Sequence, residues 1–96
     1  MMHPFCKYPD GTEAVFSDIR KNDEGIETVW ICFERPKVHG FDTIIFELPS
    51  YNIIEKDGNY TEEEIAMFKT VVECGAPSFF EWARNGGIQC LKKKKV

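Results

Sequence analysis

Ile26-Glu27-Thr28-Val29-Trp30-Ile31-Cys32-Phe33-Glu34 is the stretch on which the fold turns. Its β-branched and aromatic residues mark a strand. Alternation does not divide it into a wet and a dry side, however. One face carries Glu27, Val29, Ile31 and Phe33, and the other carries Ile26, Thr28, Trp30 and Cys32, so both faces call for cover. Residues 41–48 repeat the pattern, with Ile44, Phe46 and Leu48 on one side and Phe41, Thr43 and Ile45 on the other.

Working outward, turn residues punctuate the chain. Pro9-Asp10-Gly11 combines a preset backbone angle with a residue that accepts a positive one, and it joins a strand at 3–8 to another at 12–19. Lys21-Asn22-Asp23-Glu24-Gly25 is a longer hairpin loop leading into the central strand. Residues 35–40 break the pattern, Pro49 ends the strand at 41–48, and a shorter extended piece at 51–55 reaches the turn Lys56-Asp57-Gly58.

Beyond Gly58 the period changes from two to 3.6. Thr61 caps a helix and Glu64 completes a capping box, while Tyr60 and Ile65 form a hydrophobic staple. Ile65, Phe68, Val71 and Val72 make the inward stripe, and Gly75 followed by Pro77 predicts its end. Ser78 with Glu81 predicts a second cap, opening a short helix that carries Phe79, Phe80, Trp82 and Ala83 and stops at Asn85-Gly86-Gly87. The expected fold is α+β: a mostly antiparallel β-meander of about four to five strands, then two helices packed on one sheet face. Residues 1–91 form a single domain and residues 92–96 a flexible basic tail.

Charge divides the same way. Residues 1–91 hold sixteen Asp and Glu against eight Lys and Arg, a net of -8, while Lys92, Lys93, Lys94 and Lys95 supply the remaining +4. A body this acidic repels nucleic acid and anionic membrane and attracts basic protein surfaces. The apolar runs are far shorter than the ~18–20 residues of a membrane span, and the start Met1-Met2-His3-Pro4-Phe5 lacks the regions of a secretory signal. The expectation is a cytoplasmic protein, with nucleic acid reached only weakly through the lysine tail.

Candidate chemistry is thin. Cys6, Cys32, Cys74 and Cys90 form no CxxC pair and read as reduced thiols. Zinc held by His3, Cys6, Cys32 and His39 would need a tight knuckle that the Cys32-to-His39 gap does not provide. His39, with Glu34, Lys37 and Asp42 near it in sequence, is the residue for ribonuclease-like acid–base chemistry. Cys74 near a helix end makes a poor nucleophile, and Glu62, Glu63 and Glu64 suit the positive end of a helix dipole. No phosphate loop or cofactor motif is present.

The expected function is therefore a non-enzymatic regulator or inhibitor that docks on a basic partner surface, with mimicry of nucleic acid as its sharper version. Trp30, Ile45 and Phe41 are the expected anchors, rimmed by Asp18, Asp23, Glu24 and Glu27. The competing readings are a small enzyme or metal protein built on His39 and the cysteines, and a homodimeric module that covers the second sheet face with its own copy.

Overall fold

The computed structural model describes residues 2–86. In chain order these form β1 (Met2–Lys7), β2 (Glu13–Ser17), β3 (Arg20–Lys21), β4 (Glu27–Lys37), β5 (Gly40–Leu48), β6 (Asn52–Asp57) and α1 (Glu62–Arg84). The strands make one antiparallel sheet in the order β1-β2-β4-β5-β6, with the short β3 pairing β4 beside the end of β2. The architecture is thus α+β, a sheet with one helix laid on it. The expected tail at 92–96 lies outside the described residues.

The strand count is six rather than four to five, because β3 splits from β2 and pairs Arg20 with Thr28 and Lys21 with Glu27. The central strand also runs on through Arg35-Pro36-Lys37, where a break was expected. Lys37 pairs Gly40 across a two-residue turn, and Pro36 pairs Phe41. Antiparallel pairs alternate between hydrogen-bonded and open, so Pro36 occupies an open pair and its missing N–H points away from β5. Nothing is lost on that side either, since the pairing of β2 with β4 stops at Glu13 and Glu34.

Two helices were expected and the described residues contain one. The capping box at its start is present: Thr61 Oγ1 accepts from the Glu64 N–H, and Glu64 Oε1 accepts from the Thr61 N–H. At the other end the helix passes straight through Gly75 and Pro77 to Arg84. Its buried residues Phe68, Val72, Phe79 and Ala83 keep one phase of the 3.6 period on both sides of Pro77, so ending the helix would throw Phe79 and Ala83 off the sheet. Gly75 is a space rather than a cap. A Cβ there would stand 2.8 Å from the Phe79 ring, which is itself fully buried.

The core lies between α1 and the facing side chains of the sheet. Ala14 and Phe16 from β2, Val29, Ile31 and Phe33 from β4, and Ile44, Phe46 and Leu48 from β5 meet Phe68, Val72, Phe79 and Ala83. Phe68 stacks on Phe33 with ring centroids 4.2 Å apart, and Tyr60 stands edge-on to Phe68 at 5.1 Å. Toward the other end, Phe79 meets Phe5 at 4.9 Å and Phe16 at 5.5 Å.

A continuous helix makes two opposite predictions. Pro77→Ala should raise stability by about 1–3 kcal/mol, because it restores a helical hydrogen bond at an exposed site. Gly75→Ala should lower it by about 1–3 kcal/mol despite its better helix propensity, because the buried Phe79 ring cannot retreat. Urea unfolding of the two variants measures both signs.

Candidate functional site

The sheet has a second face, and no element among the described residues lies over it. Directly opposed residues in an antiparallel pair share a face, so the registers lay this face out in rows. Pro4, Val15, Cys32, Ile45 and Glu55 form one row across all five strands of the sheet. On one side of it stand Lys7, Glu13, Glu34, Thr43 and Asp57. On the other, Trp30 pairs Glu47, which pairs Asn52. The result is an apolar centre of Val15, Cys32, Ile45 and Trp30 inside a border of Glu13, Glu34, Glu47, Glu55 and Asp57, with Lys7 and Arg20 as its cations.

The electrostatics follow from that layout. The Cys32 thiol is pushed up to about 12 by its burial first, with the Glu34 and Glu55 carboxylates adding to the effect. It is therefore a protonated, inert side chain at the centre of an acidic ring. Glu13 and Glu34 stand directly opposite one another, an arrangement that destabilises a sheet by like-charge repulsion. Trp30 is half-buried: the Arg20 guanidinium carbon lies 4.0 Å from its ring centroid, and its indole Nε1–H donates to Glu47 Oε2 at 3.3 Å.

Of the expected anchors, Trp30, Ile45 and Phe41 all fall on this face, Phe41 beyond the acidic row where it pairs Pro36. The expected rim does not assemble there. Glu27 shares the helix side with Val29 and is ion-paired to Arg84. Asp18 lies past the end of β2 and meets His3 Nε2 at 2.5 Å. Asp23 and Glu24 sit in the turn between β3 and β4, which the Asn22 side chain holds by accepting from the Glu24 and Ile26 amides. The carboxylates beside Trp30 and Ile45 are instead Glu13, Glu34, Glu47, Glu55 and Asp57. Their alternation with apolar neighbours was present in the sequence, but only the strand registers bring them together. β1 does not fold across this face, being an edge strand of the sheet itself.

A second polar assembly lies at the start of the helix. Asp42, buried, accepts from Arg35 Nε and Nη2 at 3.0 and 2.7 Å, from Lys37 Nζ at 3.0 Å and from the Asn59 N–H at 2.8 Å. Arg35 reaches on to Glu64 Oε2 at 2.6 Å and Asp10 Oδ2 at 3.4 Å, and its guanidinium stands 4.6 Å from the Tyr60 ring centroid. The Asn59 amide, then Arg35 and Lys37, hold the Asp42 carboxyl down to about 2. Asp42 and Glu64 in turn raise the Arg35 pKa above its ordinary value. Every oxygen of Asp42 is engaged, so the group offers no free base; the cluster ties the β1–β2 turn, β4, β5 and α1 together.

Among the described residues, the groups named for the competing chemistry do not converge. His39 is exposed in the turn between β4 and β5, while Asp42, its neighbour in sequence, is occupied by Arg35 and Lys37. His3, Ser17 and Asp18 do converge, but Ser17 Oγ donates to the Asp18 carbonyl at 2.8 Å and accepts from the Trp30 N–H at 2.9 Å. That hydroxyl holds two strands together and is not poised as a nucleophile. Cys6, Cys32 and Cys74 are free thiols, and the described residues contain no grouping of three or more His, Cys, Asp or Glu that could hold a metal ion. No helix among them is long and apolar enough to cross a membrane. No protein-family model, curated protein or solved structure matches this chain.

The pH response of the Asp42 cluster has a definite sign. A carboxyl that titrates near ~3.9 when unfolded and at about 2 when folded contributes stability that is complete above ~4 and lost as pH falls toward 2. Asp10 and Glu64 are shifted downward as well. Urea midpoints measured from pH 5 to pH 2 should therefore fall steeply for the wild type, and less steeply for Asp42→Asn from a lower starting value.

Proposed function

We propose that this protein is a small non-enzymatic interaction protein, a regulator or inhibitor whose docking surface is the uncovered sheet face. The observation that supports this reading is the row Val15, Cys32 and Ile45 with Trp30 beside it, bordered by five carboxylates and only two cations. An apolar centre with a charged rim is the anatomy of a protein interface. The sign of the rim selects the partner: a protein surface with its own apolar centre and a border of Lys and Arg. Two copies of this face would set acidic borders against each other, which disfavours the homodimer.

The sheet edges support docking by the face rather than by strand addition. β1 carries Pro4 and a register break between Pro4 and Cys6. β6 is broken opposite Ile45 and Phe46 and ends in Glu55, Lys56 and Asp57. Proline, bulges and charges are the features that block edge-to-edge pairing. The nucleic-acid-mimic version places the same carboxylates in a groove that otherwise holds phosphates.

Parallel capture from the native cell with wild type and with the double variant Glu34→Lys, Glu55→Lys tests this reading. A partner retained by the wild type and lost by the variant is expected to be basic, and nucleic acid should compete for it if mimicry operates. Kinetics with that purified partner should then separate two effects. The double variant should slow association and flatten its salt dependence. Trp30→Ala should mainly speed dissociation, by tenfold or more for a desolvated anchor worth ~2 kcal/mol. If both variants retain the same partners with unchanged rates, the face is not the docking surface.

A further inference from the structure

We propose that the lysine-bearing segment of this same chain, residues 87–96, is a competing occupant of the open sheet face and tunes its access to partners. The proposal rests on the docking reading above and adds its regulation. Gly87-Ile88-Gln89-Cys90-Leu91-Lys92-Lys93-Lys94-Lys95-Val96 has the two properties that the face selects. Ile88, Cys90 and Leu91 supply apolar side chains, and the next four residues are all cations. They match a face whose centre is Val15, Cys32, Ile45 and Trp30 and whose border is Glu13, Glu34, Glu47, Glu55 and Asp57.

The place at which the described chain ends makes the contact reachable. Arg84, in the last turn of α1, is ion-paired to Glu27 in the first position of β4. Trp30 follows three residues later on the opposite face, with Glu47 beside it. The chain therefore leaves α1 at the end of the sheet that carries Trp30 and Glu47. An extended chain covers at most ~3.3–3.6 Å per residue, so Lys92 reaches about 20 Å from Gly86 and Lys95 about 30 Å. The molecule measures 23 Å in its shortest dimension. Gly86, at a positive φ of 75°, turns the chain out of the line of the helix at that end.

Tethering supplies the remaining argument. Four exposed ion pairs are individually weak, but a short covalent tether presents the lysines at an effective concentration of about 1 mM or more. A segment that binds its own face at ~0.1–1 mM then weakens a partner by about two- to tenfold. Because the contact is electrostatic at its rim, salt releases it.

The test uses the full chain and one full-length variant in which Lys92, Lys93, Lys94 and Lys95 are all replaced by Ser. The ¹⁵N indole resonance of Trp30 and the amides of Glu34, Ile45 and Glu55 should differ between them. The Trp82 indole, on the helix side, should not. Added salt at 0.5 M, where the Debye length is only a few Å, should move the wild type toward the variant. A synthetic peptide of residues 87–96 added to the variant should move it back. Identical spectra overturn the proposal, and a difference that grows with protein concentration overturns it in favour of a second copy's tail. A synthetic amphipathic Leu/Lys helix separates this inference from the reading beneath it. The variant should bind that peptide about two- to tenfold more tightly than the wild type. Equal affinities at the open face leave docking intact and remove the tail. A tail contact without any binding of the peptide removes docking instead.

Discussion

Phe68 lying flat on Phe33 seats one helix along the middle of the sheet, and most of what is distinctive about this molecule follows from the limits of that contact. A helix with its side chains is ~10 Å across, whereas five strands ~4.8 Å apart span about 19 Å. One helix can therefore blanket the central strands on one side and little more. The buried apolar residues of the sheet belong to β2, β4 and β5, while every residue of β6 is exposed. The opposite face, apolar at its centre too, receives no element among the described residues. Its partial dryness comes from its own side chains, with Arg20 laid over Trp30 and Cys32 screened by its neighbours.

The polar cluster around Asp42 performs the complementary task of fixing the helix at one end. Glu64 is bound twice, through its capping box with Thr61 and through Arg35, so the residue that starts the helix also anchors it to the sheet. Gly58 is required here: a Cβ would collide with Asp42, and its φ of 104° suits no other residue well. The chain approaches Asp42 so closely that the Asn59 amide becomes the strongest influence on its ionisation. A buried carboxylate held down this firmly is a structural clamp. It also accounts for charge that would otherwise look available for chemistry near His39.

Charge on the two sides of the sheet is treated differently. On the helix side, Glu27 is matched by Arg84 and Asp42 by Arg35 and Lys37. On the open side, Glu13 and Glu34 oppose each other and Glu34 and Glu55 crowd the Cys32 thiol. Like-charged neighbours around an apolar row gain from the arrival of cations, whether on a partner or on residues 92–95 of this chain. That asymmetry is the physical content of the docking proposal.

Local chemistry made much of this legible from residues alone. The capping box of Thr61 and Glu64, the Pro9-Asp10-Gly11 turn, the central strand and the two-sided apolarity of β4 and β5 all depend on neighbours within a few positions. The sequence thereby determined an α+β chain with a sheet face in excess of its helical cover. It misled at Gly75 and Pro77, where local rules stop a helix but the phase shared by Phe68, Val72, Phe79 and Ala83 carries it through. The same phase was readable in the sequence; its dominance over proline was not, because that depends on the sheet beneath. The carboxylates of the open face were hidden for a related reason. Glu13, Glu34, Glu47, Glu55 and Asp57 are scattered along 45 residues of chain, and only strand register, a property of tertiary pairing, sets them around Trp30 and Ile45 while sending Glu27 to the other side.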